Sequence, residues 1–201
     1  MIDHRLLPFV EFVLRPVATY LVEKKVTANT ITITGFLIGI FSLPLIIFGF
    51  FKLAILTIIF NRLLDGIDGI VARRRGISDN GAFLDISLDF IFYASIPLAF
   101  GLYDPTKNSL YACILLFSFF GTGSTFLAFS IMAERRKISS SLFSSKGFNY
   151  LGGLMEGTET LIFILLMCVF PNYFSVLAMI FSFLCVISTC IRMKIAWDKL
   201  T

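Results

Sequence analysis

One histidine, one tryptophan and four cysteines are scattered through 201 residues. His4 stands alone near the start and reads as a surface residue. Cys113, Cys168, Cys185 and Cys190 form no C-x-x-C pair and have no histidine beside them. That argues against a zinc or redox motif and for packing within apolar helices. Charge is also scarce, at 15% of residues with a net +4. No nucleic-acid partner is expected. The charged start lacks a small-residue cleavage site after an apolar core, so no cleavable signal peptide is expected. No internal repeat or low-complexity segment is evident.

What is abundant is apolar surface. The chain is 57% hydrophobic with 24 phenylalanines, and its mean hydropathy is +0.89. This composition predicts a polytopic membrane protein. The expected class is an all-α integral membrane fold of six transmembrane helices plus an N-terminal interfacial amphipathic helix. The length leaves room for one domain, residues 1–201, with 1–25 interfacial and 26–201 the six-helix bundle. Residues 1–25 mix Leu6, Leu7, Phe9 and Phe12 with Asp3, Arg5, Glu11 and Arg15, as an interfacial helix does, with an interruption expected near Pro16. The crossings are expected over residues 33–50, 53–73, 81–102, 109–133, 151–170 and 173–191. Residues 103–108 read as a turn, and Pro171-Asn172 as a tight one.

Basic residues cluster on one side of this map, from Arg5, Arg15, Lys24 and Lys25 through Arg73, Arg74 and Arg75 to Arg135, Arg136, Lys137, Lys146, Arg192, Lys194 and Lys199. The other side has only Lys52 and Lys107. The positive-inside rule makes the first side cytoplasmic, with both termini on it.

Four carboxylates interrupt the apolar pattern: Asp65, Asp68, Asp85 and Asp89. An acid at the centre of a membrane helix costs about 2.5–3.5 kcal/mol, so four facing lipid would cost on the order of 10 kcal/mol. That rivals the stability of a whole domain. They must face one another, a cation or water. Asp65 and Asp68 are spaced i, i+3, and Asp85 and Asp89 i, i+4, so each pair shares a helix face. The polar stretch from Arg73 to Gly81 reads as a turn. Two antiparallel helices joined there would bring the pairs together at one depth, near the basic side. Such oxygen donors suit Mg²⁺ or Mn²⁺.

These residues resemble a known signature. Asp65-x-x-Asp68-Gly69-x-x-Ala72-Arg73, a short loop, then Gly81-x-x-x-Asp85-x-x-x-Asp89 is similar to that of the CDP-alcohol phosphotransferases, with all eight fixed positions filled. The likeness is greatest to small bacterial members. It implies a metal-dependent enzyme of the bacterial inner (plasma) membrane, active on the cytoplasmic side. A phosphatidyl-type group would pass from a CDP-linked lipid such as CDP-diacylglycerol to the hydroxyl of a small alcohol, with release of CMP, in phospholipid biosynthesis. By the same resemblance Asp65, Asp68 and Asp85 are metal ligands. Asp89 is the catalytic base and shares a second ion. Asn29, Thr32, Gly69, Ala72, Arg73, Ser78 and Gly81 contact the donor, and the protein is a homodimer among membrane lipids. Asn29 and Thr32 match a Pro-Asn-x-x-Thr element, although Ala28 replaces its proline.

Plainer roles exist for several of these. Asn or Thr near residue 28 can cap a helix, Gly69 and Ala72 can serve helix packing, and Arg73 can be a cytoplasmic anchor like Arg74 and Arg75. The Gly121-Thr-Gly123-Ser124 stretch suits close packing, within the bundle or across a dimer. For the acceptor, Lys146, Arg192 and Arg135 are basic candidates, and Glu156 and Glu159 an acidic pair that lines the site or pairs with the basic loop. Two other classes fit the residues less well. A membrane prenyltransferase would explain Asn61-Arg62-x-x-Asp65, but residue 69 would then be acidic. A cation transporter would have no need of Gly69, Ala72 and Arg73.

Overall fold

The protein's structure, a computed structural model, describes residues 3–136 and 155–201. Among the described residues it is all helical: α1 Asp3–Glu23, α2 Ala28–Ile40, α3 Ser42–Ile47, α4 Phe51–Arg75, α5 Asp79–Tyr103, α6 Pro105–Arg135, α7 Gly157–Val169 and α8 Phe174–Leu200. The expected turn at Pro171-Asn172 is one turn of 3₁₀-helix, Pro171–Tyr173.

Four stretches are long and apolar enough to cross a membrane: Ala28–Ile47, which joins α2 to α3, then α5, α6, and Pro171–Leu200. α4 is as long as α5 but carries Asn61, Arg62, Asp65 and Asp68 within it. α7 has 13 residues, short of the roughly 20 that a crossing takes. The expected start of that crossing, at residue 151, lies outside the described residues. Large apolar side chains cover the outside of the bundle, with Phe117 75% and Phe120 74% exposed. A water-facing surface would not tolerate that continuity, whereas lipid does.

Local chemistry shifts several boundaries. α1 is continuous through Pro16, contrary to the expected interruption. Pro16 costs one backbone hydrogen bond, but Leu14 and Ala18 on either side of it bury against Ile67, Ile70 and Val71 of α4, and that packing carries the helix through. Arg74 donates to the Thr19 hydroxyl at 2.6 Å and Arg75 to the Val22 carbonyl at 2.7 Å, which ties α1 to the end of α4. The first crossing breaks at Phe41 because Pro44 has no N–H for the carbonyl four residues back. Residues 103–108 are not a turn. Only Asp104 separates α5 from α6, and it caps α6 by accepting from the Lys107 N–H. The Thr106 hydroxyl, bonded to the same carboxylate, holds it below the usual carboxylate range. α8 continues past the expected end at 191 to Leu200, where Ile195 and Ala196 pack on Phe129 and Ala133 of α6.

The small-residue stretch of α6 is used within the chain. A Cβ on Gly123 would come within 2.7 Å of the Phe90 ring, and one on Gly121 within 3.5 Å of Thr189. Cys168 and Cys185 are buried, as expected of packing residues, while Cys113 and Cys190 are exposed.

The interior is built from stacked rings. Phe100 stacks on Phe174 at 4.5 Å and Phe163 on Phe181 at 4.6 Å. These join α5, α7 and α8, with Ile58 of α4 in the same cluster. α4 and α5 are linked by residues 76–78 alone, with Gly76 at φ 101° ending α4 in a conformation that favours glycine. Their backbones nevertheless stay apart. It is α2 that packs against both, so a cleft opens between α4 and α5 with α2 as its back wall.

Candidate functional site

Thr32, Gly35 and Phe36 of α2, Asn61, Arg62, Asp65 and Asp68 of α4, and Asp85, Leu88 and Asp89 of α5 line this cleft. α2 can lie so close because it presents glycine. A Cβ on Gly39 would sit 2.7 Å from the Asn61 side chain, and one on Gly35 3.0 Å from Leu64. Asn61 Nδ2 donates to the Gly35 carbonyl at 2.9 Å and locks the two helices in register.

Asp65, Asp68 and Asp85 each bring one carboxylate oxygen to within 4.8 Å of the other two. Asp68 is buried, and the other two are half-buried. The Thr32 hydroxyl lies 2.6 Å from Asp68 Oδ2 and 3.0 Å from the Ala28 carbonyl. It has one proton, and the shorter approach to a charged acceptor is the stronger bond. Two oxygens bound to one ion at about 2.1 Å lie at most about 4.2 Å apart, so small side-chain rotations suffice for the trio to share a cation. The donors are carboxylate oxygens, which match Mg²⁺ or Mn²⁺ better than zinc.

Asp89 sits beside this trio, one turn along α5 from Asp85. Arg62 Nη2 donates to its Oδ1 at 2.7 Å, and Arg62 Nη1 lies 3.8 Å from Asp65 Oδ2. Arg62 is thus the cation of the cleft wall. Its placement was not drawn from the sequence, although a signal existed: an arginine inside an apolar helix, three residues before an acid, must find an internal anion.

The other residues expected at the donor do not line the cleft, apart from Thr32, and fall into two groups. Asn29 meets the start of α5. A Cβ on Gly81 would lie 2.9 Å from Asn29 Oδ1 and 3.0 Å from Ser78 Oγ, so glycine is what lets α2 and α5 touch here. Ser78 also caps α5 through the Gly81 N–H. The cap of α2 is Thr27, which accepts from the Thr30 N–H, so neither Asn29 nor Thr32 is the capping residue. On α4, the Arg73 side chain runs back over Gly69, where an added Cβ would meet Nη1 at 3.4 Å. Arg73 also pairs with Glu11 of α1 at 3.7 Å. Ala72 is half-buried on the same helix.

Among the described residues, the acceptor candidates do not line the cleft. Arg135 is exposed at the end of α6, and Glu156 and Glu159 are half-buried at the start of α7. Glu156 is the residue preceding that helix. Arg192 is buried in α8, where it donates to the Thr122 carbonyl at 3.0 Å and lies over the Phe126 ring. Lys146 lies outside the described residues.

Known proteins match this chain in sequence and in fold. The chain is 45% identical over 192 residues to inner membrane protein YnjF of Escherichia coli (strain K12), covering 96% of this chain and 93% of that one. It is 31% identical over 153 residues to the bifunctional IPC transferase and DIPP synthase of Archaeoglobus fulgidus, covering 73% of this chain and 29% of the archaeal protein. Its fold is that of Mycobacterium tuberculosis phosphatidylinositol phosphate synthase (PgsA1), solved with CDP-DAG bound. The TM-score is 0.67 at 23% identity, over 90% of this chain and 92% of that one. The same protein solved with manganese and citrate gives a TM-score of 0.67 at 23% identity, over 90% and 88%. The family profile named CDP-alcohol phosphatidyltransferase matches residues 25–196, and the chain therefore belongs to that family of phosphotransferase enzymes.

Proposed function

We propose that this enzyme moves a phosphatidyl-type group from a CDP-linked lipid, such as CDP-diacylglycerol, to the hydroxyl of a small alcohol in phospholipid biosynthesis. The observation that carries the reading is the convergence of Asp65, Asp68 and Asp85 within 4.8 Å, with Asp89 alongside. Asp65, Asp68 and Asp85 would hold divalent cations, with Asp89 contributing to a second. When bound, two Mg²⁺ or Mn²⁺ ions neutralise pyrophosphate charge as it shifts to the leaving group. Asp89 takes the proton of the acceptor hydroxyl. The acceptor oxygen forms its bond to the lipid-bearing phosphorus, the phosphoanhydride bond breaks, and CMP leaves with the electron pair. Thr32 orients Asp68 by donating to it.

Asn29, Ser78 and Gly81 on one edge and Gly69, Ala72 and Arg73 on the other would flank the donor nucleotide. Small residues leave room for it, and Arg73 would exchange Glu11 for donor phosphate. Arg192, Arg135, Lys146, Glu156 and Glu159 are proposed for the acceptor side. We place the protein in a bacterial inner membrane as one domain of six crossings with α1 in the interface, and as a homodimer. Both termini and the acid cluster would be cytoplasmic, a reading supported by the basic residues gathered on that side.

Release of CMP from CDP-diacylglycerol by purified enzyme in detergent tests this reading. Glycerol 3-phosphate, inositol phosphate, inositol, serine and choline would be offered in turn. Release should require Mg²⁺ or Mn²⁺ and one of these acceptors, and it should vanish in EDTA and in Asp89→Asn. Wild-type turnover by Asp89→Asn would remove the assigned base.

A further inference from the structure

Arg62 is held more completely than a lipid-side anchor needs to be. Nη2 donates to Asp89 Oδ1 at 2.7 Å, Nη1 donates to the Tyr93 hydroxyl at 2.9 Å, and Nε donates to Asn61 Oδ1 at 2.8 Å. Asn61 is itself fixed by its bond to the Gly35 carbonyl. The guanidinium lies 4.8 Å from the centre of the Phe92 ring and 5.0 Å from that of Tyr93. Its side chain is 13% exposed. Asp85, Asp89 and Tyr93 are spaced i, i+4, i+8 on one face of α5. The same face therefore presents an acid to the carboxylate trio, an acid to Arg62, and a hydroxyl that steadies Arg62. Three donor directions, all satisfied, plus two rings preorganise a planar charge at one point.

A fixed positive charge there divides four carboxylates unequally. Asp65, Asp68 and Asp85 form a set for one divalent cation. Asp89 lies outside that trio and already carries a cation on Oδ1. A second divalent ion drawn to Asp89 meets the guanidinium at short range, where like charges at a few ångströms in a partly buried site repel by several times the thermal energy. We infer that Arg62 is a built-in cation that positions Asp89 and makes the two metal sites unequal, the second ion binding only in competition with the guanidinium. This rests on the proposed two-metal reading. It adds that this chain loads one ion tightly at the trio, and that the second must displace or share the Arg62–Asp89 contact.

Calorimetric titration of the purified full chain in detergent with Mn²⁺ alone, read beside the electron paramagnetic resonance signal of bound Mn²⁺, tests the inference without recourse to turnover. Wild type should bind one ion at least about tenfold more tightly than the second. Arg62→Gln should narrow that gap chiefly by tightening the second ion, with spin-coupled Mn²⁺ pairs appearing at lower metal concentration. Arg62→Lys, which keeps the charge, should retain most of the gap. Tyr93→Phe, which keeps the ring and removes one anchor, should narrow it partially and serves should Arg62→Gln not fold. A purely structural Arg62 would weaken both ions together and would not be rescued by lysine. Two equal ions in wild type, or an unchanged gap in both Arg62→Gln and Tyr93→Phe, would overturn the role given to Arg62 while leaving the metal reading intact. No Mn²⁺ binding that Asp68→Asn abolishes would overturn the metal reading and this inference with it.

Discussion

The two sides of the bundle are held together differently. Where α5, α7 and α8 meet, the contact is ring on ring: Phe100 on Phe174, Phe163 on Phe181, all with little or no exposure except the half-buried Phe163. Where α2, α4 and α5 meet, the walls are Phe36 and Leu88 with glycine, threonine, asparagine and five charged side chains around a gap. The ring contacts of the first side involve no charge. The second gives up packing so that carboxylates can converge. Stability and chemistry are thus largely assigned to different ends of one face of α5, with Asp85 and Asp89 towards its start and Phe92, Ile96 and Phe100 further along.

That division is best broken by exchanging the effects. Asp68→Asn should give the largest change, a loss of CMP release of about 10²–10³-fold or more, by analogy with removal of one preorganised electrostatic group. Its midpoint of thermal unfolding in detergent should hold steady or rise, because like charges are relieved. A large fall in stability would show that the acids also hold the bundle. Phe100→Ala should do the reverse. Loss of a fully buried ring costs about 3–5 kcal/mol, read as a lowered unfolding midpoint, while turnover per folded molecule stays near wild type. Gly39→Ala sharpens the boundary with a smaller effect. Its Cβ would fall 2.7 Å from Asn61, and such overpacking costs about 1–3 kcal/mol. Because Asn61 braces Arg62, activity should drop along with stability, and this variant alone of the three should lower both.

Much of the site was readable in the chain. The i, i+3 and i, i+4 spacing of the acids is a local property, and a helix of either length must put each pair on one side. The end of α4 was legible for the same reason, since a run of arginines followed by a glycine marks a helix terminus, but the expected turn from Arg73 to Gly81 is shorter, with α4 running to Arg75 and α5 starting at Asp79. The helix ends were read less well. Pro16 was expected to interrupt α1, and residues 103–108 to form a turn, because both readings used local preference alone. Burial of Leu14 and Ala18 on α4 overrode the first, and a single capping aspartate made the second unnecessary.

The amino-acid sequence by itself determined that this is a helical, lipid-facing protein with paired acids, since hydropathy and periodicity act over a few neighbouring residues. Only the tertiary structure decided which side chains across the chain share a charge. Thr32 reaches Asp68 over 36 positions and Arg62 reaches Asp89 over 27. Such partners are set by how closely α2 lies on α4 and how far α4 stands from α5. Those distances are outcomes of packing, in which every helix contributes and no single segment carries the answer.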